Sequence, residues 1–132
     1  MKYSKNLTVI IAIIAIAFTS TSCKKDKEDP TIEVTTPAMH SEFKWGDEVH
    51  IEATFADDQG LKNYTVMVVD EDGNHEMTVD FMKSGTTTEL TYDFHEHFVV
   101  PTDAPMMAWI QFTVTDADDK TTSTDWMIHF EE

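Results

Sequence analysis

The sequence predicts an all-β domain over residues 31–132, a seven-stranded immunoglobulin-like antiparallel β-sandwich. Three observations predict it. From Thr31 onward apolar residues recur at every second position, the period of a strand with one buried face. Clusters rich in Asp, Gly and Pro separate these runs at the short spacing of an all-β chain. No stretch of ten or more residues carries a helical period.

The chain opens differently. Lys2 and Lys5 form a positive start, and Leu7 to Phe18 is an unbroken apolar run apart from Thr8. Thr19, Ser20, Thr21, Ser22 and then Cys23 follow. This is the layout of an export signal over residues 1–22. The run falls short of the ~20 residues needed to cross a bilayer as a helix. Cys23 after small residues resembles the lipobox of bacterial lipoproteins, with Ser22 at the cleavage position and Ser20 where Leu is commonest. That resemblance implies acylation of Cys23 and a partner in the lipid bilayer, at the outer membrane of the cell envelope. Residues 23–30 continue as a charged tether, Lys24-Lys25-Asp26-Lys27-Glu28-Asp29-Pro30, with nothing apolar to pack.

Strand A is Thr31–Thr35, with Ile32 and Val34 alternating. Strand B, Val49–Phe55, places Val49, Ile51, Ala53 and Phe55 inward. Strand C is Tyr64–Val69, and strand C′ is Met77–Phe81. Strand E, Leu90–Phe98, turns Leu90, Tyr92, Phe94 and Phe98 inward. Strand F is Ile110–Val114 and strand G is Trp126–Phe130. Asp57–Gly60, Asp70–Asn74, Lys83–Gly85, Pro101–Pro105 and Asp116–Lys120 punctuate them, and Asp72-Gly73 is a hairpin signal. A lone Cys cannot supply an inter-sheet disulfide, so Phe55, Tyr64, Phe81, Tyr92, Phe94, Phe112 and Trp126 must fill the core. Glu96 falls on the inward parity of strand E, where a β-bulge would change which residues face out.

Three segments carry a resemblance. Phe94-His95-Glu96-His97-Phe98, Pro101-Thr102-Asp103-Ala104-Pro105 and Phe112-Thr113-Val114-Thr115-Asp116 are similar to an uncharacterised family of bacterial immunoglobulin-like lipoprotein domains. The family is known as a domain of unknown function. The resemblance spans most of residues 30–130 and implies the same fold and envelope address, with no activity to transfer. It also implies further histidines on strand F, where Trp109 and Gln111 stand here.

Charge restricts the partners. The formal net charge is −16, with nine Lys, no Arg and 25 acidic residues. Removing residues 1–22 takes away Lys2 and Lys5 and no acid, so the remainder is more negative still. Such a surface repels nucleic acid and favours cations. High net charge also serves solubility.

All six histidines fall toward one pole of the expected sandwich. Outward parity places His50 and Glu52 on strand B, and Asp93, His95 and His97 on strand E. B and E are antiparallel neighbours in this fold, so His50, His95 and His97 are expected to meet on the outer face. Three imidazoles are a donor set for zinc or copper, and Glu52 and Asp93 are placed to orient the rings. The same residues also read as solvated histidines beside acids.

The opposite pole collects Asp57, Asp58, Asp116, Asp118 and Asp119 from the B–C and F–G loops. Clustered carboxylates suit calcium, and Asp at turns equally serves the backbone. No catalytic residue is assigned: the four Gly form no phosphate loop, and Cys23 is committed to lipid. The expectation is a non-enzymatic binding module. The alternative is metal-independent contact with an envelope protein or glycan through Trp45, Trp109 or Met106-Met107.

Overall fold

The computed structural model describes residues 28–132. The export signal, Cys23 and most of the charged tether lie outside the described residues. Eight strands form two sheets. They are β1 (Thr31–Thr36), β2 (Glu42–Lys44), β3 (Glu48–Ala56), β4 (Leu61–Val69), β5 (Met82–Thr86), β6 (Thr91–Val99), β7 (Met107–Asp116) and β8 (Thr121–Glu131). One sheet has the order β1-β3-β6 and the other β2-β8-β7-β4-β5. The fold is an immunoglobulin-like β-sandwich.

The alternation read from the sequence sets the core. On β3, Val49, Ile51 and Phe55 are fully buried, and on β7 Ala108, Ile110 and Phe112 are. Ile128 and Phe130 from β8 and Val66 and Val68 from β4 close the same core. Phe55 is its hub, with Tyr64, Tyr92, Phe94 and Phe112 at ring separations of 5.6, 6.4, 6.0 and 6.4 Å. Tyr64 of one sheet stacks on Tyr92 of the other at 4.8 Å, and their hydroxyls are 3.0 Å apart. This pair ties the sheets together where a disulfide would otherwise do so.

The structure corrects the expected strands in two places. The segment before β3 is not one connection. It carries the short strand β2, which lies parallel to β8 with Phe43 beside Phe130. The larger sheet is therefore mixed, and the strands number eight rather than seven.

The second correction concerns strand C′. Residues Met77–Val79 form a turn, and Asp80 has φ of 49°. The Asp80 amide donates to the Glu76 carbonyl at 2.9 Å, and the Thr78 amide donates to Glu76 Oε1 at 2.9 Å. Val79 and Phe81 still pack on the core, which produces the alternate-residue pattern without a strand. The strand that pairs with β4 comes later, as β5, through residues read as a loop. There Gly85 lies opposite Tyr64, and the phenol ring occupies the space a side chain would need.

Glu96 also finds an explanation. The β3–β6 register is continuous over nine pairs, with no bulge. Glu96 faces the gap between sheets at the edge strand β6 and pairs with Lys83 of the edge strand β5 at 3.9 Å. Among the described residues, no helix is long and apolar enough to cross a membrane.

Candidate functional site

The neighbouring positions of β3 and β6 bring the three expected histidines together. In the register His50 stands directly opposite His97, and Glu52 opposite His95. Directly opposed residues share a face with Cβ atoms ~4.5–5.5 Å apart. The inward neighbours Val49, Ile51, Phe94 and Phe98 are buried, so the histidines are forced outward. The His50 ring lies 5.7 Å from that of His97 and 6.2 Å from that of His95.

Carboxylates flank these rings. Glu48 Oε1 lies 2.6 Å from His50 Nε2, and its Oε2 lies 3.8 Å from His97 Nε2. Glu52 Oε1 lies 3.6 Å from His95 Nε2. Glu52 thus stands beside His95 on the outer face. Asp93 is engaged elsewhere: its Oδ1 accepts a hydrogen bond from Thr54 Oγ1 at 2.9 Å. Glu48, which lies beside two rings, opens β3 one residue ahead of the expected strand B, Val49–Phe55. Its spacing of two from His50 is the signal that the sequence offers for it. A shallow groove of about 300 Å³, lined by Thr35, Glu52, Thr54, Asp93 and His95 among others, adjoins the cluster.

Distance bounds what the rings can do. A metal ~2.0 Å from an imidazole nitrogen sits roughly 3.2 Å from the ring centre, so two ligating rings lie within about 6.4 Å of each other. Both pairs meet this bound. In the conformation described, however, the rings turn toward carboxylates. Among the described residues, no three His, Cys, Asp or Glu side chains converge so as to hold a metal ion.

The other histidines share the pole but not the face. His40 stacks on His129 at 5.8 Å over the edge of the larger sheet. His75 is half-buried, with Nε2 3.7 Å from Asp80 Oδ1.

The acidic pole is built from turns. Asp57 Oδ1 accepts the amides of Gln59 and Gly60 at 2.9 and 3.0 Å. Asp116 Oδ1 accepts those of Asp118 and Lys120 at 2.8 and 2.9 Å. Both carboxylates are buried, and Asp116 Oδ2 lies 3.8 Å from Lys120 Nζ. Asp58 bonds Gln59, and Asp119 pairs with Lys62. These acids organise the B–C and F–G loops through backbone amides and lysines. Of the expected aromatic contacts, Trp45 packs against the core and is not a free surface group.

An immunoglobulin-like sandwich with a His–Glu face on its smaller sheet is the class defined by these features. The chain belongs to the family described as a domain of unknown function (DUF4625), which matches residues 19–130. No curated protein matches it. Among solved structures, catalytically inactive OgpA from Akkermansia muciniphila, in complex with an O-glycopeptide, is similar at 16% identity and a TM-score of 0.52. That match covers 84% of this chain and 32% of OgpA. A crystal form of wild-type OgpA gives 0.53 at 16% identity, over 78% and 28%. The periplasmic chaperone SfaE gives 0.49 at 11% identity, over 77% and 56%. This chain therefore spans about a third of OgpA's length, and the likeness is one of fold.

Proposed function

We propose that the chain is a lipoprotein of the bacterial envelope, held at the outer membrane through acylated Cys23, whose sandwich is a non-enzymatic binding module. In this reading the outer face of β3 and β6 takes a divalent transition metal, zinc or copper, through His50, His95 and His97, for capture, delivery or metal-dependent recognition. The observation that carries it is the β3–β6 register, which sets His50 opposite His97 with His95 on the same face. These side chains are more than half exposed, so they turn from Glu48 and Glu52 toward a shared ion without disturbing the core. The strongly negative chain raises the local concentration of cations.

Calorimetric titration of the full chain carrying Cys23→Ser with zinc and with copper(II) tests the site. A micromolar or tighter constant that vanishes in the His95→Ala, His97→Ala double variant is expected. Heat indistinguishable from buffer overturns the metal reading. For the anchor, mass spectrometry of the native protein should find diacylglycerol on Cys23, and Cys23→Ser should release the protein from membranes. An unmodified thiol on membrane-bound protein would defeat that part.

The alternative, a metal-independent protein or glycan contact, draws on the exposed Met106 and Met107 beside Trp109. It predicts partner binding that survives removal of metal by a chelator and fails when Met106 and Met107 become Ser.

A further inference from the structure

The larger sheet carries a second set of donors of different chemistry. His129 on β8 stands opposite Met107 on β7 and beside Glu42 on β2. Their neighbours Ala108, Ile128 and Phe130 are buried, so Met107 and His129 fall on the outer face. His40 stacks over His129 with ring centres 5.8 Å apart, inside the bound of about 6.4 Å for two rings on one metal. A groove of about 200 Å³ lined by Glu42, Met106, His129, Phe130 and Glu131 opens at the same place.

The backbone fixes these groups. The His40 amide donates to the Met127 carbonyl at 2.8 Å, and the His129 amide donates to the Ser41 carbonyl at 2.9 Å. These bonds clip His40 and Ser41 onto β8 at Met127 and at His129 itself. His40 sits at φ of 65°, in the left-handed region that a residue with a Cβ seldom adopts. Strain of this kind is found where the surrounding structure holds a functional group in place.

We infer that His40, His129 and Met107 form a binding site for copper(I). Two imidazoles and a thioether are a soft, neutral donor set. Thioethers select copper(I), whereas zinc is bound by imidazole, thiolate and carboxylate. Glu42 beside His129 supplies negative charge near the ion. The site is independent of the β3–β6 face: it lies on the other sheet and takes a different ion.

The test is copper(I) withdrawal from a bicinchoninate complex under anaerobic, reducing conditions. It uses the full chain carrying Cys23→Ser, so that no thiol competes. One equivalent should be bound, and His129→Ala or Met107→Leu should each weaken binding at least ~10-fold. Met107→Leu conserves volume on an exposed position, which keeps the fold as a constant. Copper K-edge absorption should show a sulfur neighbour that Met107→Leu removes. Copper(I) binding unchanged by Met107→Leu, or failure to take copper from the probe, overturns the inference. Copper(I) binding lost in the His95→Ala, His97→Ala variant but kept in His129→Ala would place the ion on the β3–β6 face instead, and overturn it equally. Absence of zinc and copper(II) binding together with intact copper(I) binding would remove the former reading and leave this one standing.

Discussion

Replacing Gly85 by Ala offers a sharp test of the packing between the sheets, because two physical effects oppose each other there. Losing a glycine restricts the unfolded chain and would by itself stabilise the fold by ~0.4–1 kcal/mol. The Cβ at position 85, however, would lie 2.5 Å from Tyr64 Oη and 2.7 Å from its Cζ. No rigid arrangement tolerates that, so the phenol must move. Moving it strains a ring wedged against Phe55, Tyr92 and Phe94. It also breaks the hydroxyl contact with Tyr92. Overpacking costs ~1–3 kcal/mol and a lost hydrogen bond about 1 kcal/mol. The expected net is a loss of about 1–3.5 kcal/mol, read in urea as a midpoint lowered by roughly 0.5–2 M at ordinary slopes. In a Tyr64→Val background the obstruction is gone, and the same exchange should become neutral or stabilising by up to ~1 kcal/mol. Equal effects of Gly85→Ala in both backgrounds would refute the claim that Tyr64 occupies the space above Gly85.

Other outcomes follow from buried polar groups. Asp116→Ala should cost about 2–3 kcal/mol in chemical denaturation, because the amides of Asp118 and Lys120 lose their acceptor. Asp116→Asn keeps a carbonyl oxygen for both and should cost less than half as much; equal losses would mean that charge rather than turn geometry is at stake. Burial, the hydrogen bond with Tyr92 and the charges of Tyr92 and Glu96 push the Tyr64 hydroxyl up to about 12 from its ordinary 10.0. The folded state thus prefers the neutral phenol. Its stabilising contribution is complete below pH 10 and is lost as the pH rises through about 12. Urea unfolding across that window should show a shallower decline in Tyr64→Phe than in the wild type, and identical slopes would contradict the assignment.

The candidate site was legible to the extent that it depends on parity and on a single neighbour rule. His50, His95 and His97 met because strands alternate faces and because B and E pair in this fold. For Asp93, parity gives the face but not the partner, Thr54. The pairing of His40 with His129 and Met107 was not legible, because it depends on how the segment before β3 folds over an edge.

By itself the sequence determined the strands with strong alternation, the apolar core and the turns made by Asp and Gly. These are local properties: each strand's period and each turn's chemistry are written within a few residues. Tertiary structure alone decided where the weakly patterned segments go. Glu42–Lys44 and Met82–Thr86 are short, largely polar edge strands: the first has only Phe43 to turn inward, and the second has no burial alternation of its own. They are placed by edges that other strands leave open, β2 against β8 and β5 against β4, and by the fit of Gly85 beneath Tyr64. Edge pairing is a contact between distant parts of the chain, so its energy appears only once the sheets have formed.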